Sequence, residues 1–224
     1  MLRAILLDVG GPLFDEDEAL RASDRELVQR LNARGRRVSP EQIAAARLKA
    51  VESYAPSYLR ATIWALVKPD LDLYEELALA IAHVFDRESR RVRPEAFSVL
   101  NVLVRRYKLA LAANQPVENR EFLREQGLLS FFTLDLVPGE LGFAKPDPRF
   151  FLTILEKLKV RPEQAVMVGD RLDNDIYPAK RLGLKTVQIT VGPHAHQEPR
   201  TPLDMPAVAI ASLQELPQAI ETLR

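Results

Sequence analysis

Ala4-Ile5-Leu6-Leu7-Asp8-Val9-Gly10-Gly11-Pro12-Leu13 is the stretch from which the fold of this 224-residue chain can be worked out. Apolar residues run from Ala4 to Val9, broken only by Asp8, and Gly10-Gly11-Pro12 stop them at once. A short apolar run ended by such a turn signal reads as a strand, and the lack of polar alternation predicts burial on both faces. A carboxylate closing a buried strand is costly unless something pairs with it, so Asp8 stands out as a candidate for chemistry. The run is too short for the apolar region of a signal peptide and has no small-residue cleavage site after it.

Working outward, residues 14–94 change texture. They are rich in Ala, Leu, Arg and Glu and show helical periodicity without convincing alternation. Ser39-Pro40-Glu41-Gln42 is a helix start: serine caps free amides, proline suits the first helical position, and Gln42 completes a capping box. That helix runs to residue 50. Residues 58–67, with the only tryptophan, Trp64, predict a second, and residues 71–85 a third in which Leu73, Leu77, Ile81 and Phe85 form one apolar face. After Pro94 helices and strands alternate. Strands are predicted over residues 108–113, 165–169, 185–190 and 207–211, with helices over 95–106, 117–126 (closed by Gly127), 147–158, up to Gly183, and at the C-terminal end. Such alternation argues for a parallel sheet covered on both faces. The fold class is therefore α/β: a Rossmann-like parallel sheet core of residues 1–13 and 95–224, with an all-helical domain, residues 14–94, inserted after the first strand.

Charge is balanced, 31 Lys+Arg against 31 Asp+Glu, so the basic footprint of a nucleic-acid-binding protein is missing. There is no cysteine, which removes disulfides, zinc-thiolate sites and thiol nucleophiles together and fits a reducing interior. No segment reaches the ~18 uninterrupted apolar residues of a spanning helix. The expectation is a cytoplasmic protein without nucleic-acid or membrane partners, monomeric or homodimeric.

In open parallel sheets ligands lie beyond the carboxyl ends of the strands. The residues found there are Asp8 to Gly11 after the first strand, Asn114 after the second, and Gly169-Asp170 with Asp173 and Asp175 after the third. Lys145, in a loop just ahead of a helix, can reach the same edge. Crowded carboxylates repel one another unless a cation intervenes, and carboxylates, carbonyls, waters and phosphate oxygens suit Mg²⁺. With the metal and Lys145 neutralising phosphate, a carboxylate can attack phosphorus and form an acyl phosphate that water hydrolyses. Gly10 and Gly11 let backbone amides approach the transferring oxygens.

These residues carry a resemblance over nearly the whole chain. Leu6-Leu7-Asp8-Val9-Gly10-Gly11-Pro12-Leu13, Leu109 to Asn114, Lys145-Pro146, and Val168-Gly169-Asp170 with Asp175 and the run Ala179-Lys180-Arg181-Leu182-Gly183-Leu184 follow one another as in the haloacid dehalogenase-like hydrolases with a helical type-one cap. The resemblance implies a Mg²⁺-dependent phosphatase acting on a small phosphorylated metabolite. Asp8 would be the nucleophile and, with Asp170 and the Gly10 carbonyl, a metal ligand; Asp175 would ligate the metal or brace its ligands. Lys145 would hold phosphate and nucleophile together, Asn114 would contact phosphate or brace the strand end, and residues 14–94 would be the cap.

Three positions depart from the family pattern. Gly10 stands where most phosphatases of the family carry a second aspartate, the acid for the leaving group. Ala113 replaces a Ser or Thr, and Pro12 a common threonine. The missing acid predicts slow turnover that favours good leaving groups. A chain that only binds a phosphometabolite or protein partner is the alternative, with a haloacid dehalogenase behind it. Asp15, Glu16 and Asp17 are read as a solvated charge run, and Asp173 as a helix N-terminal acid. His194 and His196 are read as a solvated loop, His83 as structural, and Trp64, Tyr58 and Phe85 as core or interface of the helical insertion.

Overall fold

The computed structural model describes residues 1–88, 91–115, 117–136 and 138–223. The chain begins with β1 (Ala4–Leu7), then passes through α1 (Asp17–Ala33), α2 (Pro40–Glu52), α3 (Tyr58–Val67) and α4 (Leu71–Glu88). It continues as α5 (Ala96–Leu103), β2 (Lys108–Leu111), α6 (Val117–Glu125), α7 (Pro138–Leu141), α8 (Pro148–Leu158), β3 (Ala165–Gly169), α9 (Tyr177–Arg181), β4 (Lys185–Ile189), β5 (Val208–Ile210) and α10 (Leu216–Thr222). The five strands form one parallel sheet in the order β2-β1-β3-β4-β5. The chain steps from β1 to β2 on one side and then crosses back to β3 on the other. The gap between the carboxyl ends of β1 and β3 is therefore the topological switch point, where such sheets place their ligands.

β1 shows why the apolar run is unbroken. Ile5 and Leu7 face one buried cluster, with Val166, Val168, Leu109 and Leu111, while Ala4 and Leu6 face a second, with Phe150, Phe151, Ile154 and Met167. Both faces are dry, as in a sheet covered by helices on each side. The predicted strand at 165–169 matches β3, and those at 185–190 and 207–211 match β4 and β5 within a residue at each end. The predicted 108–113 strand stops at Leu111, although Ala112 N still donates to Leu7 O at 2.8 Å. The short α7 has no counterpart in the sequence reading.

The described chain groups into two compact units. One comprises Met1–Phe14, Val92–Val191 and Pro199–Arg224; the other comprises Asp15–Arg91 and Gly192–Glu198. Within the helical unit, Leu27, Leu31, Ile43, Ile63, Leu77 and Ile81 bury together, and Leu73, Leu77 and Ile81 of the predicted apolar face lie in this cluster. Phe85, the fourth of that face, packs instead beside Leu20, Ala50, Val51 and Tyr58. The capping box forms as read: Gln42 N donates to Ser39 Oγ at 3.3 Å, and Ser39 N donates to Gln42 Oε1 at 2.9 Å.

Residues 192–198 correct one reading. They follow β4 in sequence yet group with the helices, and His194 is buried there, edge-on to Tyr58 at 5.2 Å between ring centroids. Tyr54 Oη donates to Glu198 O at 2.5 Å. Only His196 of the pair is exposed. A contact across more than a hundred residues leaves no local signal, which is why the pair looks like a polar loop. The reading of His83 as structural is corrected as well, since it is exposed on α4; Trp64 is 37% exposed and rests edge-on against Tyr74.

Candidate active site

The loop after β1 is a tight reversal. Leu13 N and Phe14 N both donate to Val9 O at 2.9 Å, which turns the chain back over Gly10, Gly11 and Pro12. Gly11 sits at φ 78°, a left-handed conformation that glycine alone adopts without strain, and a Cβ there would lie 3.1 Å from Asp170 Cγ. Gly11 thus brings the first loop against the acid that follows β3. Asp8 N is held by Val168 O at 2.9 Å, and Asp8 Oδ1 accepts from Val9 N at 2.8 Å.

After β3 the chain makes a single π-helical turn, Leu172–Ile176. This turn folds Asp175 back over Gly169, where a Cβ would lie 2.3 Å from Asp175 Cγ. Real Cβ atoms do not approach so closely, so the glycine of the Gly-Asp pair is dictated by the carboxylate five positions on from Asp170. Arg171 N donates to Asp175 Oδ2 at 3.1 Å and fixes the orientation of that acid. Asp173, in the first turn of the same helix, is an N-terminal acid as read, and accepts from Arg171 Nη2 at 2.6 Å.

Lys145 completes the arrangement. Its Nζ lies 3.0 Å from Asp8 Oδ2 and 2.6 Å from Asp175 Oδ1, and all three residues are buried, as is Asp170. Burial alone would drive the ammonium down, but the Asp175 and Asp8 carboxylates outweigh it and hold Lys145 above the ordinary lysine value. Burial pushes the Asp175 carboxyl up to about 6, with Lys145 pulling it down and Asp8 adding to the rise. Asn114 grips the lysine by its backbone: Asn114 Nδ2 donates to Lys145 O at 2.7 Å, and Lys145 N donates to Asn114 Oδ1 at 2.8 Å. The amide thus faces the lysine loop.

Asp8, Asp170 and Asp175 each offer a carboxylate oxygen, and these oxygens lie within 4.8 Å of one another. Three buried carboxylates against one ammonium leave a surplus of negative charge, which is unfavourable in a dry site unless a further cation enters. The all-oxygen donor set suits a hard divalent ion. The residues present therefore fit a metal of the Mg²⁺ type.

Two contributors carry no signal in the sequence. Arg93 N donates to Leu13 O at 2.9 Å and Arg93 Nε donates to Gly11 O at 2.7 Å, so this arginine of the sheet unit staples the first loop from some eighty residues on in sequence. Gln188 Nε2 donates to Asp170 O at 3.3 Å from β4. Each partner lies far away in sequence, and only the fold brings it in. Ala113 is buried and, at the departure noted above, offers no hydroxyl. Asp15 Oδ1 accepts from Asp17 N at 3.0 Å, a local turn bond just ahead of α1.

A doubly wound parallel sheet with acids and a lysine gathered at its switch point defines an α/β enzyme class that handles charged ligands at the strand ends. The family model of the haloacid dehalogenase-like hydrolases matches residues 2–183. The chain belongs to that family. It is 29% identical to a glyceraldehyde 3-phosphate phosphatase of Methanopyrus kandleri, over 100% of this chain and 99% of the relative. It is 38% identical to a phosphoserine phosphatase of Thermus thermophilus over 63% of this chain and 57% of the relative. Among solved structures, the HAD-hydrolase YfnB of Bacillus subtilis superposes with a TM-score of 0.73 at 22% identity over 98% of each chain, a likeness in fold.

Proposed function

We propose that this hydrolase is a Mg²⁺-dependent phosphatase of small phosphomonoesters, with Asp8 as nucleophile and residues 14–94 as its cap, working in the cytoplasm. The observation that carries the reading is Lys145 Nζ wedged between Asp8 and Asp175 in a buried site beside Asp170. The two relatives named above, a glyceraldehyde 3-phosphate phosphatase and a phosphoserine phosphatase, support a small phosphorylated metabolite as substrate. The metal would be held by Asp8, Asp170, the Gly10 carbonyl and Asp175, directly or with Asp175 bracing the others, and when bound it supplies positive charge against the phosphate oxygens.

In the first step a carboxylate oxygen of Asp8 attacks phosphorus as the ester P–O bond breaks, and the leaving oxygen carries away the bonding pair. The product on the protein is an acyl phosphate at Asp8. Lys145 lowers the barrier by holding a fixed positive charge beside the nucleophile and the incoming phosphate. In the second step water attacks phosphorus, the bond to the Asp8 oxygen breaks, and inorganic phosphate leaves with Asp8 restored. Asn114 acts through its grip on the lysine backbone.

Gly10 leaves the departing oxygen without a neighbouring acid, and general acid–base help is worth about 10² to 10⁴ in rate. The leaving oxygen therefore takes its proton from water, and good leaving groups are favoured. The alternative, a protein that binds a phosphometabolite without turnover, draws on Gly10 and Ala113. The intact nucleophile, lysine and acids favour slow catalysis over none. Retention of Asp170 and Asp175 speaks against a metal-free dehalogenase. The test is hydrolysis of p-nitrophenyl phosphate with and without Mg²⁺ in wild type, Asp8→Asn and Gly10→Asp. Mg²⁺-dependent turnover that Asp8→Asn abolishes is expected, together with a gain in Gly10→Asp on alkyl phosphates. Ligand-dependent stabilisation without turnover in any variant would instead establish the binding protein.

A further inference from the structure

A second cavity lies in the sheet unit, with a volume of about 490 Å³. That lies within the ~300–1,000 Å³ usual for small-molecule sites. None of Asp8, Lys145, Asp170 or Asp175 lines it. Its apolar wall is made by Pro146, Pro148, Tyr177, Pro178 and Leu182, rigid rings and one aliphatic side chain that offer flat surfaces. Its polar wall is Asp173, Arg181 and Arg200.

The charges on this wall are not equivalent. Asp173 is taken up by Arg171 at 2.6 Å. Arg200 is paired at 3.3 Å with Asp204, a fully buried acid that also accepts from Thr201 N at 2.9 Å. Arg181 has no ion pair among the described residues; its guanidinium lies over the Tyr177 ring, 5.7 Å from the centroid. A guanidinium resting on an aromatic face keeps its planar fork of donors free for a carboxylate, sulfonate or phosphate. With both local acids already engaged, the uncompensated charge of the cavity is positive, and it stands at the edge of an apolar wall.

We propose that this cavity is a second binding site, separate from the carboxylate cluster, which takes a small organic anion with a planar apolar body. The anionic group would sit on Arg181 with Arg200 beside it, and the planar body would lie against the prolines and Tyr177. The site neighbours both halves of the carboxylate cluster, since Pro146 follows Lys145 directly and Asp173 and Tyr177 flank Asp175.

The probe is 8-anilinonaphthalene-1-sulfonate, titrated against the native full chain by fluorescence, with circular dichroism to verify the fold of each variant. Saturable binding at one site is expected, weakened at least tenfold in Arg181→Glu and unchanged in Asp8→Asn. Arg181 is exposed on α9, so the substitution leaves the core untouched. Absence of saturable binding, or equal affinity in wild type and Arg181→Glu, would each overturn the proposal. The readout is binding alone, so a failure of the phosphatase reading leaves this test intact.

Discussion

The carboxylate cluster of the sheet unit and the surface pairs of the helical unit use charge in opposite ways. In the sheet unit Asp8, Lys145, Asp170 and Asp175 are all buried, held by backbone amides, by one another and by glycines that make room for them. In the helical unit the buried clusters are largely apolar, while ion pairs such as Glu18 with Arg21 and Arg25, or Arg36 with Asp70, lie out toward solvent. Burying a charge is costly, and a protein has reason to do it where the charge performs chemistry. Exposed pairs contribute little and leave fold and activity nearly indifferent to them. The two units thus predict opposite outcomes for the same kind of substitution.

The largest effect is expected at Lys145. Lys145→Ala removes the ammonium that pairs with both Asp8 and Asp175, and loss of one such electrostatic contact costs about 10²–10³ in turnover. It also leaves buried acids uncompensated, a change typically worth about 3–5 kcal/mol of stability. Because Asp175 already stands near 6, it can take up a proton in the variant, which draws the loss toward the lower end. Measured in EDTA, the unfolding midpoint should drop clearly, and Mg²⁺ should restore part of it. A variant as stable as wild type in EDTA would break the contrast between the units.

Gly169→Ala comes next. The added methyl would overlap Asp175, whose Cβ and Cγ lie 2.6 and 2.3 Å from its position. Asp175 is short and fully buried, so either the π-helical turn or the carboxylate must move. Displacing a group that orients a metal site costs about 10–100-fold in metal affinity or activity. The expected result is a rise of that size in the Mg²⁺ concentration needed for half-maximal turnover. An unchanged Mg²⁺ dependence would show that Asp175 stands apart from the metal.

The same division decides what the sequence makes legible. Asp8 can be found from its own local signal, an apolar run broken by glycine, whereas Asp170, at a strand end, and Lys145, in a loop ahead of a helix, stand out only in company with it. Asp175 can be found only through its company, since the reason for its position is a π-helical turn that no period of apolar residues announces. Gly169 is visible as half of a Gly-Asp pair, but the steric demand behind it is not. Arg93 and Gln188 are invisible because their partners, Gly11 and Asp170, are distant in sequence. In the helical unit the capping box at Ser39 and the stripe Leu73, Leu77, Ile81 are local and readable, whereas the burial of His194 against Tyr58 is not.

The smallest effect is expected at Glu18, which sharpens the comparison from the other side. Hydrogen bonds first from Arg25 and then from Arg21 hold its carboxyl down at about 2, against an ordinary value of 4.5. A carboxyl depressed in the folded state contributes stability that is fully present above 4.5 and is lost as pH falls through about 2. The arginines are exposed, so the contribution is screened by solvent and by salt. Glu18→Gln should therefore show a slightly lower unfolding midpoint than wild type at neutral pH and low salt. The difference should vanish as pH falls below about 2, and also at about 1 M salt, where the Debye length is about 3 Å. Turnover of p-nitrophenyl phosphate should be the same in both proteins. A difference that survived high salt, or a change in turnover, would mean that this surface pair is tied to the chemistry of the sheet unit, and the division of charge between the two units would not hold.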